Sequence, residues 1–209
     1  MKRFTRQDAL TAVGKALREH GYAPRRGVWK WPMRDGVWGW LGLNTGQGYD
    51  EGSWLINPVV GVRHDQIEDL VMSFLPPTRT VAFTPTLSSN YGHYRQPPKY
   101  LEFTLRGQPT DESVVRLLAE TIDAEGKAAV TPMQDLSVLR ARMKANLVGI
   151  PHEIQLRYPI VCVLCGDGDE ADRTVSELLK GCTDPSNPYH VHVRKYFEMF
   201  QRWRVVYTP

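Results

Sequence analysis

The sequence predicts an α+β protein in which an N-terminal helix packs on a mostly antiparallel sheet and a helical C-terminal half follows. Three observations carry that reading. A capped amphipathic helix opens the chain. Short runs of β-branched and aromatic residues, punctuated by turn signals, occupy the rest of residues 1–106, and from Pro109 onward apolar residues recur at helical spacing. Strands and helices kept apart in this way mark α+β, whereas an α/β chain would alternate them. The expected organisation is a sheet region, 1–106, and a mainly helical region, 107–209, packed as one globular unit.

The elements follow in order. Thr5 is placed to cap the first helix, with Asp8 three residues on in a capping-box spacing. Leu10, Val13 and Leu17 form its apolar stripe, widened by Ala9 and Ala16, and Gly21 stops it. Val28–Arg34 and Val37–Leu43 flank Asp35-Gly36, a pair suited to a type I′ hairpin turn. That turn would set Trp31 across from Trp40 and Met33 across from Trp38, with Trp29 on the same face. Pro32 cannot donate to a ladder, so its strand is expected at an edge. A third strand runs from Trp54 to Val62, a short helix from Asp65 to Leu75, and two more strands are expected at Thr80–Phe83 and Tyr100–Leu105. In the second region Thr110 begins a helix that closes near Gly126, and Thr131-Pro132-Met133-Gln134 reads as a second capping box. Residues 153–165 fit either a buried strand or a helix starting at the proline; Glu170–Leu179 and Pro188–Trp203 are helical.

Charge is patterned rather than extreme. The net charge is +3, too mild to argue for nucleic acid alone. Yet residues 1–34 hold Lys2, Arg3, Arg6, Lys15, Arg18, Arg25, Arg26, Lys30 and Arg34 against Asp8 and Glu19, and residues 35–74 reverse the sign. Met1–Thr5 is basic without the apolar run of a secretory signal, and no segment has the roughly 20 apolar residues that span a bilayer. With three cysteines and no disulfide framework, a cytoplasmic location without membrane partners is expected.

Known chemistries fail one after another. Cys162 and Cys165 have metal-site spacing, with Cys182, His190 and His192 downstream, but no second Cys-x-x-Cys completes a four-ligand zinc site, so reduced, metal-free thiols are expected. Asp167, Asp169, Glu170 and Asp172 open like a calcium loop until Ala171 breaks the pattern; carboxylates in a first helical turn account for them. Gly46, Gly48 and Gly52 lead into a strand, not the helix a phosphate loop requires. His64-Asp65 has no spaced partners, and no nucleophile elbow exists. No catalytic residue, metal or cofactor is therefore assigned.

The binding candidate is Asn90–Lys99, within the connection Thr84–Lys99, which is long for a link between strands. It concentrates Tyr91, His93, Tyr94 and Arg95, residue types that supply contact area at interfaces, and Pro97-Pro98 stiffens its far end. The five tryptophans from Trp29 to Trp54 are expected to form core beneath the first helix. The capped helix, the run LREHGYAPRRGVWKW (17–31) into a tryptophan hairpin, and INPVVGVRHDQIEDL (56–70) resemble a group of small bacterial domains that includes immunity proteins of polymorphic-toxin systems. The resemblance spans the first hundred residues. It implies a protein-binding module that neutralises a toxin domain by occlusion, without chemistry of its own. Two alternatives stand beside it: a nucleic-acid or nucleotide-phosphate binder using the basic N-terminal residues and the Tyr91–Lys99 loop, and an enzyme whose site is assembled from distant positions.

Overall fold

The Thr5 hydroxyl accepts the Asp8 amide while the Asp8 carboxylate accepts the Thr5 amide, so the first helix begins with a closed capping box. The computed structural model describes residues 3–75, 83–145 and 151–207. In it, α1 (Arg6–Glu19) buries Ala9, Val13 and Leu17, and Gly21 follows at φ 79° as the stop.

The sheet has six strands: β1 (Ala23–Arg25), β2 (Val28–Arg34), β3 (Val37–Gln47), β4 (Trp54–His64), β5 (Leu87–Asn90) and β6 (Phe103–Leu105). β1 to β5 lie side by side in chain order, β6 pairs with the far end of β4, and every pairing is antiparallel. Neither β1 nor β5 was expected from the sequence, and the expected strand at Thr80–Phe83 lies outside the described residues except for Phe83, which sits in a bend.

The hairpin register differs from expectation. Arg34 pairs with Val37, but Met33 is an extra residue that bulges out of the ladder, so Pro32 faces Trp38, Trp31 faces Gly39 and Lys30 faces Trp40. Only Gly36 of the turn pair has positive φ, at 68°, so the turn is not the type I′ form, which needs both central residues there. The two-residue turn with both φ positive lies one hairpin earlier, at Arg26 (49°) and Gly27 (86°), joining β1 to β2. Hence β2 is not an edge strand, although Pro32 falls past the end of β1, where its missing N–H deprives no partner.

This shift sorts the tryptophans onto opposite faces. Trp29 and Trp31 lie on the face that carries Leu41, Val60 and Val62, and α1 comes so close that a Cβ on Gly14 would stand 2.9 Å from the Trp29 ring. Trp38 and Trp40 point the other way. Their indole N–H groups donate to Asp65 (2.8 Å) and to the Phe83 carbonyl (2.7 Å), and the Lys30 ammonium lies 3.6 Å over the Trp38 ring. Expecting the five rings to form core therefore holds for Trp31, with Trp29 and Trp54 half-buried against it, and fails for Trp38 and Trp40.

α2 (Asp65–Phe74) leads from β4 toward the helical half, where Phe74 meets Tyr196, Phe200 and Trp203 of the last helix. α3 (Asp111–Thr121) is not capped by the Thr110 side chain; instead the Asp111 carboxylate takes the amides of Arg106, Gly107 and Gln108. Nor does the helix close at Gly126. It widens into a π-turn over Ile122–Gly126 and continues as α4 (Lys127–Val130), with Gly126 itself in helical conformation (φ −65°, ψ −46°). Thr131–Gln134 forms a 3₁₀ turn, and the cap of α5 (Leu136–Lys144) is Asp135, which accepts from Ser137 and Val138.

Residues 153–165 resolve as helix: α6 (Pro151–Leu164) carries Pro159 within it. Tyr158, Ile160, Val161, Cys162 and Val163 are all buried, so the helix is apolar on every side. α7 (Gly168–Gly181) starts at Asp167, whose carboxylate accepts the Glu170 amide; α8 is Pro188–Val206. One continuous cluster of buried side chains runs through both regions of the chain. Among the described residues no helix is long and apolar enough to cross a membrane.

His64, at the end of β4, is buried, and its Nε2 donates to the Met133 carbonyl at 2.9 Å; a carbonyl only accepts, so the proton sits on Nε2. Burial, the largest influence, lowers its pKa below the ordinary 6.5. A folded pKa below the unfolded one means the unfolded chain takes up the extra proton. Stability is then full above 6.5 and falls as pH drops through that value toward the folded pKa. Urea titrations across about pH 5 to 8 are expected to show this slope, and His64→Gln to flatten it. An identical slope in the variant would assign the effect to other groups.

Candidate functional site

The segment 84–101 is less of a loop than its length suggests. Its first part is β5, followed by a 3₁₀ turn at Tyr91–Tyr94, and the exposed stretch is confined to residues 95–100 with His93 beside it. Asn90 closes the neck. Its side-chain oxygen accepts from the amides of Gly92 and Leu101, both at 3.0 Å, and its nitrogen donates to the Leu101 carbonyl at 3.0 Å. The Lys99 amide donates to the Gly92 carbonyl at 3.0 Å, and the strands of the neck lie so close that a Cβ on Gly92 would come within 1.8 Å of the Lys99 carbonyl oxygen. Only glycine fits there.

The four residues singled out in the sequence divide by role. Tyr91 is 1% exposed and is not presented to a partner; its hydroxyl donates to Glu125 in the π-turn. Burial first, then the Glu125 carboxylate, pushes the Tyr91 pKa well above its usual value, so the phenol stays protonated and keeps donating. Tyr94 is half-buried, its hydroxyl 3.5 Å from the Val60 carbonyl. His93 is exposed, with Nδ1 2.9 Å from Ser89 Oγ and its ring 6.2 Å from that of Tyr100. The Arg95 guanidinium is exposed, 3.3 Å from Glu125 and 5.9 Å over the Tyr91 ring.

No family model, curated protein or solved structure matches the chain.

Three features of this stretch had no role in the sequence analysis. Asn90, the first residue of the singled-out segment, forms the clamp, and an Asn two residues before a glycine is the recognisable sign of an Asx turn. Tyr100 is 55% exposed, the large ring that the clamped stretch presents beside His93. Glu125 lies 34 residues beyond Tyr91 in the helical half, where no local pattern points back to the sheet.

The remaining candidates are accounted for structurally. Asp65 accepts from Trp38 and from Arg63 at 2.8 Å each, and His64 faces Met133, so that pair is spent within the fold. Burial pushes the Cys162 thiol up to about 11, where it is a poor nucleophile. Among the described residues no group of three or more His, Cys, Asp or Glu side chains could hold a metal ion.

Proposed function

We propose that this chain is a protein-binding module whose contact surface is the clamped stretch around His93, Arg95 and Tyr100, with Tyr91 and Tyr94 holding it in shape. The observation that carries the reading is the closed neck, in which Asn90, Gly92, Lys99 and Leu101 lock both ends of an exposed aromatic and cationic stretch. A stretch ordered before binding loses little conformational entropy on binding, so its contacts translate more fully into affinity. Tyrosine and arginine are the residue types most often found as hot spots. Together with the resemblance of residues 17–31 and 56–70 to immunity domains, this supports a bacterial, cytoplasmic protein that neutralises a toxin by covering its working surface.

The test is an affinity capture from the native host, repeated with His93→Ala, Arg95→Ala and Tyr100→Ala. A protein retained by the unaltered chain should bind the Tyr100→Ala or Arg95→Ala variant more weakly by about 2 kcal/mol in calorimetry, with the melting temperature unchanged. Co-expression with the captured protein should relieve any growth inhibition it causes. Uniformly silent substitutions would remove this stretch from the interface, and recovery of nucleic acid alone would remove the reading.

A further inference from the structure

A second surface is independent of that stretch. Between α1 and the β1–β2 hairpin lies an open groove of about 290 Å³, close to the lower end of the roughly 300–1,000 Å³ typical of small-ligand sites. Its floor is apolar, formed by Leu10, Leu43 and the Trp29 ring, which lies under α1 because Gly14 has no Cβ to exclude it. Arg6 and Arg18, from the first and last turns of α1, stand at the groove about 18 Å apart along the helix axis, at 1.5 Å per residue. Thr11, exposed, lies on the helix between them.

The two guanidinium groups are held but not neutralised. Arg6 Nε donates to the Thr45 hydroxyl at 2.5 Å, and Arg18 donates to the Gly14 carbonyl at 3.4 Å while lying 5.3 Å over the Trp29 ring. Neither forms an ion pair among the described residues, in contrast to Arg63, Arg95, Arg106, Arg140, Arg157 and Arg173. Each guanidinium has five N–H donors, and the bonds described occupy one. Asp8, the acid nearest in sequence to Arg6, is engaged by the Thr5 cap.

We propose that this groove binds a small phosphate ester carrying a planar ring, of nucleoside monophosphate size. The unpaired guanidinium fork matches a phosphate in charge and in bidentate geometry. A planar ring finds an apolar floor in Leu10 and Leu43 and a stacking partner in the Arg18 guanidinium, which itself lies over the Trp29 indole. An aliphatic carboxylate would satisfy one arginine and leave the aromatic floor unused.

Calorimetry of the intact chain against adenosine, guanosine, cytidine and uridine monophosphates tests this, with adenosine and inorganic phosphate as the separated halves of the ligand. At least one monophosphate should bind saturably and about tenfold or more tighter than either half, since charge-assisted phosphate bonds and ring stacking both contribute. Arg6→Gln and Arg18→Gln should each weaken it by about tenfold, and Thr11→Trp, which fills the groove from an exposed helical position, should abolish it. Tyr100→Ala should leave it unchanged, so this inference and the protein-binding reading fail separately. No saturable binding by any of the four overturns the proposal, as does binding that survives all three groove variants. Equal affinity for inorganic phosphate alone, or for an acidic peptide, would overturn it too, by showing a site for charge without a ring.

Discussion

Replacing Arg157 with methionine is expected to cost the fold about 3–5 kcal/mol. Glu68, in α2, is 1% exposed, and Arg157, in α6, is also buried. Their contact is bidentate, Nε to Oε1 at 2.8 Å and a terminal nitrogen to Oε2 at 2.7 Å. The carboxylate also accepts the hydroxyls of Thr86 (2.9 Å) and Thr84 (3.2 Å), while Thr86 Oγ1 accepts the His64 amide. Both lone-pair sets of the acid are therefore met away from water, which is the condition under which a buried pair is tolerated. Removing the arginine leaves a buried anion facing two hydroxyls, and the desolvation cost is no longer offset. Glu68→Leu with Arg157→Met removes both charges and should be less damaging than either single change, although Thr84 and Thr86 then lose an acceptor. Urea denaturation of the three variants decides the matter. A loss under about 1 kcal/mol for Arg157→Met would mean that water reaches the site and the pair adds little.

This pair also shows why the sequence could be read only in part. Glu68 and Arg157 stand 89 residues apart, one in the sheet region and one in a stretch whose helical state was itself undecided. α1 was legible because every signal is local: a cap, an acid three residues on, a stripe, a stop. α2 and β4 were legible for the same reason. α6 was not, since a helix apolar on all sides carries no 3.6-residue period, and Tyr158 to Val163 look the same as a buried strand. Gly126 differs for another local reason: glycine ends helices when it takes positive φ, yet here it keeps helical angles, φ −65° and ψ −46°. At the candidate site, composition pointed to a segment that is exposed over part of its length. It did not separate the exposed His93 and Arg95 from the buried Tyr91, because burial there is set by Glu125 and β5, which meet it only in three dimensions.

The hairpin register is the sharpest of these cases, and it can be tested directly. Trp31, 6% exposed and edge-on to Tyr22 at 5.2 Å, covers Gly39 on the neighbouring strand. A Cβ at Gly39 would stand 1.8 Å from the indole, so position 39 tolerates no side chain while the ring is there. Gly39→Val should cost about 3 kcal/mol by overpacking. Trp31→Ala should cost about 3–5 kcal/mol through lost burial and the cavity left behind. Combined, they should cost at least about 1 kcal/mol less than the sum, because removing the ring removes the clash. In the register that a plain two-residue turn implies, Trp31 would face Trp40, and position 39 would lie across from Pro32 on the other side of the sheet. The two substitutions would then add independently. Urea unfolding of the two single variants and the double variant distinguishes the registers: a coupling near zero would return Trp31 to Trp40, and a coupling of the expected sign fixes the bulge at Met33 as the feature that reorients the tryptophans.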